Sequence, residues 1–237
     1  MPPKPKTNQP ETPKNIQVRD SFWTPAYGTD LLIPFIPKNV GVIWECASGE
    51  KKKISIVLET HGYDTISTDL LFGNNFLEDK PDFKFDCIIT NPPFSLKRKF
   101  YDKCLEYKKS FALLIPADYS SWICDSIDIK GCEKIIPKRR IDYITPNILD
   151  NVWKGETKKL IENETRQKFK NYFSIPDDLK NKYSNRIKKY NSIEECPNEL
   201  LAKYSTSQFH SMWLTWGFGL GKSETFVELT KEMKQNI

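Results

Sequence analysis

The stretch "VGVIWECASGEKKKISIVLETHGYDTISTDL" (residues 40–70) contains a short apolar run, a segment with helical spacing and a second extended stretch. Residues 40–45 are the apolar run and indicate a buried strand, and residues 64–70 indicate a second strand that ends on a carboxylate. Between them, residues 53–62 repeat apolar side chains at helical intervals and end at Gly62, a favourable helix C-cap. A strand, a helix and a strand in this order predict a parallel pair of strands.

The alternation continues along the chain. Residues 85–91 ("FDCIITN") and 110–116 ("SFALLIP") indicate two more buried strands, and residues 96–109 between them indicate a helix. We therefore expect an α/β fold with a doubly wound, mostly parallel sheet. The late β-rich stretches 133–145 and 211–219 are expected to form an edge pair that closes this sheet.

Composition divides the chain into three parts. Residues 1–17 are rich in proline, lysine and polar groups and predict a disordered tail. Residues 147–207 hold 12 Lys/Arg against 9 Asp/Glu with scattered apolar residues, which predicts a partly helical insertion. It is expected to be either a solvated lid or a target-recognition segment. Residues 18–146 and 208–237 would then form one domain. Three aromatic residues of the insertion are expected to form its small core: Trp153, Tyr172 and Phe173.

Several classes of protein are disfavoured by the composition. The six cysteines lack CxxC spacing and only two histidines are present, so no zinc or other metal site is expected. Reduced, mostly buried thiols in a cytoplasmic compartment are the expected state of these cysteines. No apolar run approaches the roughly 18 residues that a membrane helix needs, and the N-terminus lacks the apolar region of a signal peptide. A formal charge of +5 permits an acidic partner such as nucleic acid without establishing one.

The first two predicted strands end in residues suited to a ligand. In an open parallel sheet, ligands bind beyond the carboxyl ends of the strands. Glu45 ends the first strand, and the small residues Ala47 and Gly49 allow a ligand to approach the backbone. Asp69 ends the second strand, where a carboxylate commonly accepts hydrogen bonds from both hydroxyls of a ribose.

The third strand ends in an unusual corner, "NPPF" (residues 91–94). Asn91 offers a side-chain carbonyl, and Pro92 has a fixed φ and no N–H, so its own carbonyl has a set direction. Two converging acceptors suit a planar –NH2 group. Pro93 keeps the corner rigid, and Phe94 offers a ring on which a flat base can stack.

Together these motifs resemble those of the S-adenosylmethionine-dependent N6-adenine methyltransferase family, especially small DNA adenine methyltransferases of viral and bacterial type. The matching stretches cover about residues 22–146 and 208–225. The resemblance implies a seven-stranded Rossmann-like methyltransferase sheet with an antiparallel closing strand. It also makes 18–146 and 208–237 the catalytic domain.

The resemblance also implies cofactor-binding roles. "FWTPAYGTDLLIPFI" (22–36) resembles the motif that closes over the methionine part of the cofactor, with Thr24 and Pro25 at its centre. "GNNFLE" (73–78) resembles the motif in which Asn75 would bond the cofactor's adenine and Phe76 would pack on it. "WECASGEK" resembles the first cofactor motif, with Glu45, Ala47 and Gly49, and "ISTDL" the second, with Asp69 on the ribose. Lys51 stands where the first motif usually has its second glycine, and a side chain there can crowd the cofactor or force a different loop path.

The implied reaction is methyl transfer to the N6 amine of a flipped adenine in duplex DNA, with Asn91, Pro92, Pro93 and Phe94 as the catalytic residues. Two basic runs are expected to contact phosphates. They are Lys97, Arg98 and Lys99 at the start of the helix after the corner, and Lys138, Arg139 and Arg140 later in the chain.

Other functions remain open at this stage. An RNA adenine methyltransferase or a protein glutamine methyltransferase would use the same corner, since the amide of glutamine is also planar. A degenerate subunit that binds cofactor or nucleic acid without turnover is a third alternative, which Lys51 favours. A partner endonuclease or a homodimer is possible, as expected for restriction–modification systems.

Overall fold

The structure, a computed structural model, describes residues 22–207 and 209–237, and one seven-stranded sheet forms its centre. The predicted tail 1–17 lies outside the described residues. The strands are β1 (Val42–Glu45), β2 (Asp64–Ser67), β3 (Cys87–Thr90), β4 (Ser110–Pro116), β5 (Glu133–Pro137), β6 (Ser211–Trp216) and β7 (Glu224–Val227). The helices are α1 (Ala26–Asp30), α2 (Lys53–Thr60), α3 (Lys97–Tyr107), α4 (Ser121–Asp128), α5 (Ile148–Thr165), α6 (Asp177–Tyr183) and α7 (Asn198–Tyr204).

The order of the strands across the sheet is β2-β1-β3-β4-β6-β5-β7. Parallel pairs join β1 to β2 and β3, β3 to β4, and β5 to β7. Among the described strands only β6 runs antiparallel, and it lies between β4 and β5. The predicted doubly wound, mostly parallel, Rossmann-like sheet with an antiparallel closing strand is therefore confirmed.

The expected edge pair is wrong in one respect. β5 and β6 do pair, but neither forms the edge of the sheet, because β7 extends the sheet beyond β5. The segment of β7, "ETFV", is short and keeps Phe226 60% exposed, so it lacks the continuous apolar run that marks β3 and β4. Its pairing with β5 depends on distant segments of the chain coming together, which no local pattern predicts.

Both faces of the sheet are buried, as expected for parallel strands covered by helices. One core contains Ile43 of β1 and Ile89 of β3 and is covered by α1 and α2. The opposite core contains Trp44 and Ile88, the neighbouring residues on the same strands, and is covered by α3 and α4. Because six of the seven described strands run in the same direction, their carboxyl ends align at one edge of the sheet.

Residues 147–207, which sequence analysis assigns to an insertion, connect β5 to β6 through α5, α6 and α7. A small apolar cluster between α5 and α7 includes Ile148, Val152 and Leu201, and Trp23 packs against it. The role of this segment as a lid or target-recognition element stays a prediction. All six cysteines are free thiols and five are buried, which confirms the expected burial. None of the helices in the described residues combines the length and apolarity that crossing a bilayer requires.

Candidate active site

A cavity of about 570 Å³ opens where β1, β2 and β3 end. Its volume lies within the range typical of small-molecule sites. The predicted residues that line it are Thr24, Glu45, Ala47, Gly49, Asp69, Asn75, Phe76, Asn91 and Pro93. The other three predicted cofactor and catalytic residues, Pro25, Pro92 and Phe94, are described but do not line the cavity. Phe22 and Asn91, which are 69 positions apart in sequence, meet in its wall.

Glu45 lies at the end of β1 and joins the cavity to the start of α2. Its Oε2 accepts a hydrogen bond from the backbone N–H of Ser55 at 2.9 Å and another from the Ser55 hydroxyl. Backbone N–H groups in the first turn of a helix have no partner within the helix, and the helix dipole favours a negative charge there. Glu45 therefore anchors α2. Burial raises the pKa of this carboxyl to about 7, although both bonds from Ser55 favour the charged form.

The loop between β1 and α2 leaves open space at Gly49. Gly49 has a φ of +62°, and a Cβ added there would meet no atom within 4 Å. Its backbone N–H donates to Oδ2 of Asp69 at 2.8 Å. The left-handed φ explains the glycine, and the empty space beside it allows a ligand to approach the backbone.

Lys51, the departure from the family motif, does not line the cavity. Its Nζ lies 3.1 Å from Oε1 of Glu194, in the segment between β5 and β6. Both side chains are partly exposed, at 30% and 61%. Lys51 therefore links the loop after β1 to this segment instead of crowding the cavity.

Asp69 is held by two backbone groups. Its Oδ1 accepts from the N–H of Leu71 and its Oδ2 from that of Gly49, each at 2.8 Å. A carboxylate oxygen can accept a second hydrogen bond, so both oxygens retain capacity for a ligand. Leu70 and Leu71 follow on the cavity wall with 49% of each residue exposed. Sequence analysis missed these two leucines, although they follow a predicted ligand-binding residue directly.

Phe76 and Asn75 form the adjoining wall. The ring of Phe76 stacks on Phe100 with centroids 4.9 Å apart and meets Trp44 edge-on at 5.1 Å. These contacts fix the ring, which is buried. Oδ1 of Asn75 accepts from the N–H of Leu77 at 3.1 Å, so one lone pair of the predicted adenine acceptor is already used.

Asn91 follows β3 and has an unusual set of hydrogen bonds. Its Nδ2 donates to the carbonyl of Phe22 at 3.1 Å and to Oγ1 of Thr24 at 3.2 Å. Both amide hydrogens are thereby used, and the orientation of the amide is set. Its Oδ1 is buried and has no hydrogen-bond partner among the described residues. A buried acceptor without a partner costs about 1–3 kcal/mol, and such a cost at a cavity wall indicates a site for a donor.

At Phe94, the next part of the corner, other aromatic rings already surround the side chain. Its ring stacks on Phe22 with centroids 5.6 Å apart and an interplanar angle of 21°. Phe209 and Tyr143 contact it edge-on at 5.0 and 6.2 Å. One face of the Phe94 ring is thus covered by Phe22. Sequence analysis quoted Phe22 within a motif without giving it a role.

Ion pairs neutralise the charges of two of the three basic residues after β3 that are predicted to contact phosphates. Lys97 pairs with Asp118 at 2.7 Å, and Arg98 pairs with Asp102 at 3.1 Å. The guanidinium of Arg98 also lies 5.2 Å from the ring centroid of Trp122. Lys99 is exposed. This run therefore offers a partner less positive charge than its sequence indicates.

The second basic run follows β5 at the same edge of the sheet. Lys138 pairs with Glu228, whereas Arg139 and Arg140 are exposed. The two runs share an edge with the cavity, because β3 and β5 point in the same direction. Their role in binding nucleic acid stays a prediction.

A comparison of the chain with protein-family models found no match, and a comparison with curated proteins found none either. Function is therefore inferred from the residues of the site.

Proposed function

We propose that this protein transfers a methyl group from S-adenosylmethionine to the N6 amine of adenine in DNA. The observation that carries the proposal is Asn91, whose two amide hydrogens are occupied and whose buried Oδ1 has no partner among the described residues. An amine donor completes this site, and Glu45 and Asp69 supply a polar cavity beside it.

The residues of the cavity fit the cofactor by their chemistry. Asp69 has acceptor capacity for a pair of ribose hydroxyls, and Phe76, Leu70 and Leu71 offer apolar surface for an adenine ring. The space beside Gly49 accommodates close approach to the backbone. When bound, S-adenosylmethionine supplies a methyl group on a positively charged sulfur.

Asn91 would act on the nucleophile. The adenine amine is a poor nucleophile because its lone pair is delocalised into the ring. Acceptance of one N–H by Oδ1 of Asn91 would favour a pyramidal nitrogen with a localised lone pair. Sequence analysis assigns the other N–H to the carbonyl of Pro92, a buried residue that does not line the cavity. As the N–CH3 bond forms, the S–CH3 bond would break, the sulfur would keep its electron pair and leave as a neutral thioether, and the nitrogen would then release one proton to solvent. Oδ1 of Asn91 would stabilise the positive charge that develops on nitrogen before the proton leaves, so its contribution is positioning and electrostatics.

The base would have to leave the DNA stack to reach Asn91. Phe94 is the ring expected to hold it, but Phe22 covers one face of that ring. A base that stacks on this face would have to displace Phe22. Because Phe22 also supplies the carbonyl that binds the Asn91 amide, its side chain would have to turn while its backbone stays in position.

The test is a transfer assay with the purified chain. DNA is incubated with S-adenosylmethionine labelled on its methyl group, and the digested nucleosides are separated. We expect labelled N6-methyldeoxyadenosine. Parallel reactions contain RNA and glutamine-containing peptides, which test the two alternative substrates. Cofactor binding without methylated adenine would contradict the proposal and favour those substrates or a subunit without turnover.

Removal of the Lys51 side chain should have little effect on cofactor binding. Lys51 lies outside the cavity wall, and an exposed ion pair such as Lys51–Glu194 contributes about 0–1 kcal/mol. We expect Lys51→Ala to change the dissociation constant for S-adenosylmethionine by less than about threefold, as measured by calorimetry. Glu194→Ala is the matched variant, since it removes the same pair from the other side. A tenfold loss in Lys51→Ala alone would mean that Lys51 contacts the cofactor.

We further infer that the protein acts inside the cell, which its six free thiols favour. A partner endonuclease or a second copy of the chain stays a prediction.

A further inference from the structure

Positive charge is concentrated in one part of the segment between β5 and β6. Residues 166–190 contain eight lysines and arginines and two aspartates. Their net charge of +6 exceeds the +5 of the whole chain, so the remainder of the protein is slightly acidic. Clustered basic residues of this kind are the electrostatic signature of a nucleic-acid contact.

Most of these charges are available to a partner. Lys168, Lys180 and Arg186 pair with acidic side chains. The other five are exposed and form no ion pair with any residue in 22–207 or 209–237. They are Arg166, Lys170, Lys182, Lys188 and Lys189. This contrasts with Lys97, Arg98 and Lys138, whose charges are paired.

Aromatic rings lie among these cations. Tyr172 contacts Trp153 at a centroid distance of 5.7 Å and Phe173 at 5.9 Å. Nζ of Lys189 lies 4.2 Å from the ring centroid of Trp153. The expectation that these aromatics form a small core is wrong for Phe173, which is 74% exposed. The unpaired Lys189 thus lies over the half-buried Trp153, whereas the exposed ring of Phe173 is approached by Lys154, which pairs with Asp150. Aromatic rings among basic side chains are the combination that binds bases and phosphates together.

The position of this cluster relative to the cavity is favourable. Pro146 lines the cavity, α5 begins two residues later at Ile148, and Trp153 lies on its second turn, a rise of about 7.5 Å along the helix. Trp23, another residue of the cavity wall, packs on the apolar cluster of the same segment. Stacked base pairs are about 3.4 Å apart, so about two base pairs span the same rise.

We propose that residues 166–190 together with Trp153, here termed the insertion surface, bind the DNA that flanks the target adenine. The unpaired lysines contact phosphates, and Phe173 stacks against a nucleotide next to the target. The inference rests on the proposed function, since it names the surface that presents the substrate to that same site. It assigns the main DNA contact to the insertion surface and not to residues 97–99.

The test measures DNA binding by the full chain at several salt concentrations, with a fluorescently labelled 20-base-pair duplex. The variant Lys170→Gln/Lys188→Gln/Lys189→Gln removes three unpaired charges. We expect on the order of a tenfold weaker affinity at moderate salt. The slope of log affinity against log salt should decrease by about 0.9 for each phosphate that the variant no longer neutralises.

The matched control carries the same change of charge at the opposite edge of the sheet. Lys38, Lys109 and Lys222 are exposed and precede β1, β4 and β7. Lys38→Gln/Lys109→Gln/Lys222→Gln should keep the salt slope of the unmodified protein. Equal losses of affinity in both triple variants, or no loss in either, would overturn the assignment. Tighter binding to phosphatidylserine vesicles than to DNA, abolished in the first triple variant, would also overturn it.

Phe173→Ala tests stacking separately from charge. Loss of one stacked base should weaken binding roughly 5- to 100-fold with little change in the salt slope. Phe226→Ala is the control, because Phe226 is a similarly exposed phenylalanine on β7. Unchanged affinity in Phe173→Ala would remove the stacking role.

The outcomes separate this inference from the proposed function. DNA binding that depends on the insertion surface, without methylated adenine, would support the surface and contradict the chemistry. Methylated adenine with unchanged binding in the variants would support the chemistry and contradict the surface.

Discussion

Replacement of Asn91 by alanine is expected to lower kcat for adenine methylation by about 10²- to 10³-fold, the cost typical of removing one preorganised polar group from a transition state. The variant lacks the unpaired Oδ1, which would accept a hydrogen bond from the adenine amine. Affinity for S-adenosylmethionine should change little, because Glu45, Asp69 and Phe76 supply most of the predicted cofactor contacts. Turnover and calorimetric cofactor binding are measured on the same protein.

Two further variants distinguish the acceptor from its support. Asn91→Asp keeps an acceptor but loses both N–H donors and places a carboxylate beside the carbonyl of Phe22 and Oγ1 of Thr24, so it should be strongly impaired. Thr24→Val removes one of the two acceptors that orient the amide and should lower kcat less than Asn91→Ala does. Full turnover in Asn91→Ala would eliminate the mechanism. Equal losses of turnover in Thr24→Val and Asn91→Ala would indicate that the hydrogen bond from the Asn91 amide to Thr24 matters as much as Oδ1.

The location of the site is predictable because the alternation of strands and helices along the chain, and the residues at the strand ends, are local features of the sequence. Strands ending near Glu45, Asp69 and Asn91 and separated by helical segments predict a parallel sheet, and the carboxyl ends of parallel strands meet at one edge. β7 escaped prediction because its residues are half exposed and its pairing partner, β5, lies 90 residues away along the chain, as in Lys134–Glu224.

The partners of individual side chains could not be predicted from the sequence, for a different reason. The cover that Phe22 forms on Phe94, the pairing of Lys97 with Asp118 and that of Lys51 with Glu194 depend on distant segments packing together. A motif specifies which groups are present at the corner. It does not specify which neighbours already occupy them, and those neighbours decide which groups remain for a ligand.

The second large effect concerns the pH dependence of stability and depends on Glu45. Burial raises the pKa of its carboxyl to about 7 in the folded protein, from 4.5. Between these values the folded state binds a proton that the unfolded state has released. The contribution of this extra proton to the free energy of unfolding is therefore fully present below pH 4.5 and is lost as pH rises through 7. We expect the free energy of unfolding to fall by about 2 kcal/mol between about pH 5.5 and pH 8 because of this group.

Glu45→Gln tests this origin, since glutamine has a similar shape and no titrating proton. Denaturant unfolding at about pH 5.5 and pH 8 should show the fall in the unmodified protein and a much smaller one in the variant.

Asp86→Asn is a control of opposite sign. Hydrogen bonds from the backbone N–H groups of Val42 and Gly41 lower the pKa of the Asp86 carboxyl. The stability that this carboxylate contributes is therefore lost only as pH falls through the acid range.

An equal fall in the free energy of unfolding in Glu45→Gln and the unmodified protein would mean that the buried carboxyl at the end of β1 does not titrate near neutral pH. Glu45 would then be a permanently charged anchor for α2.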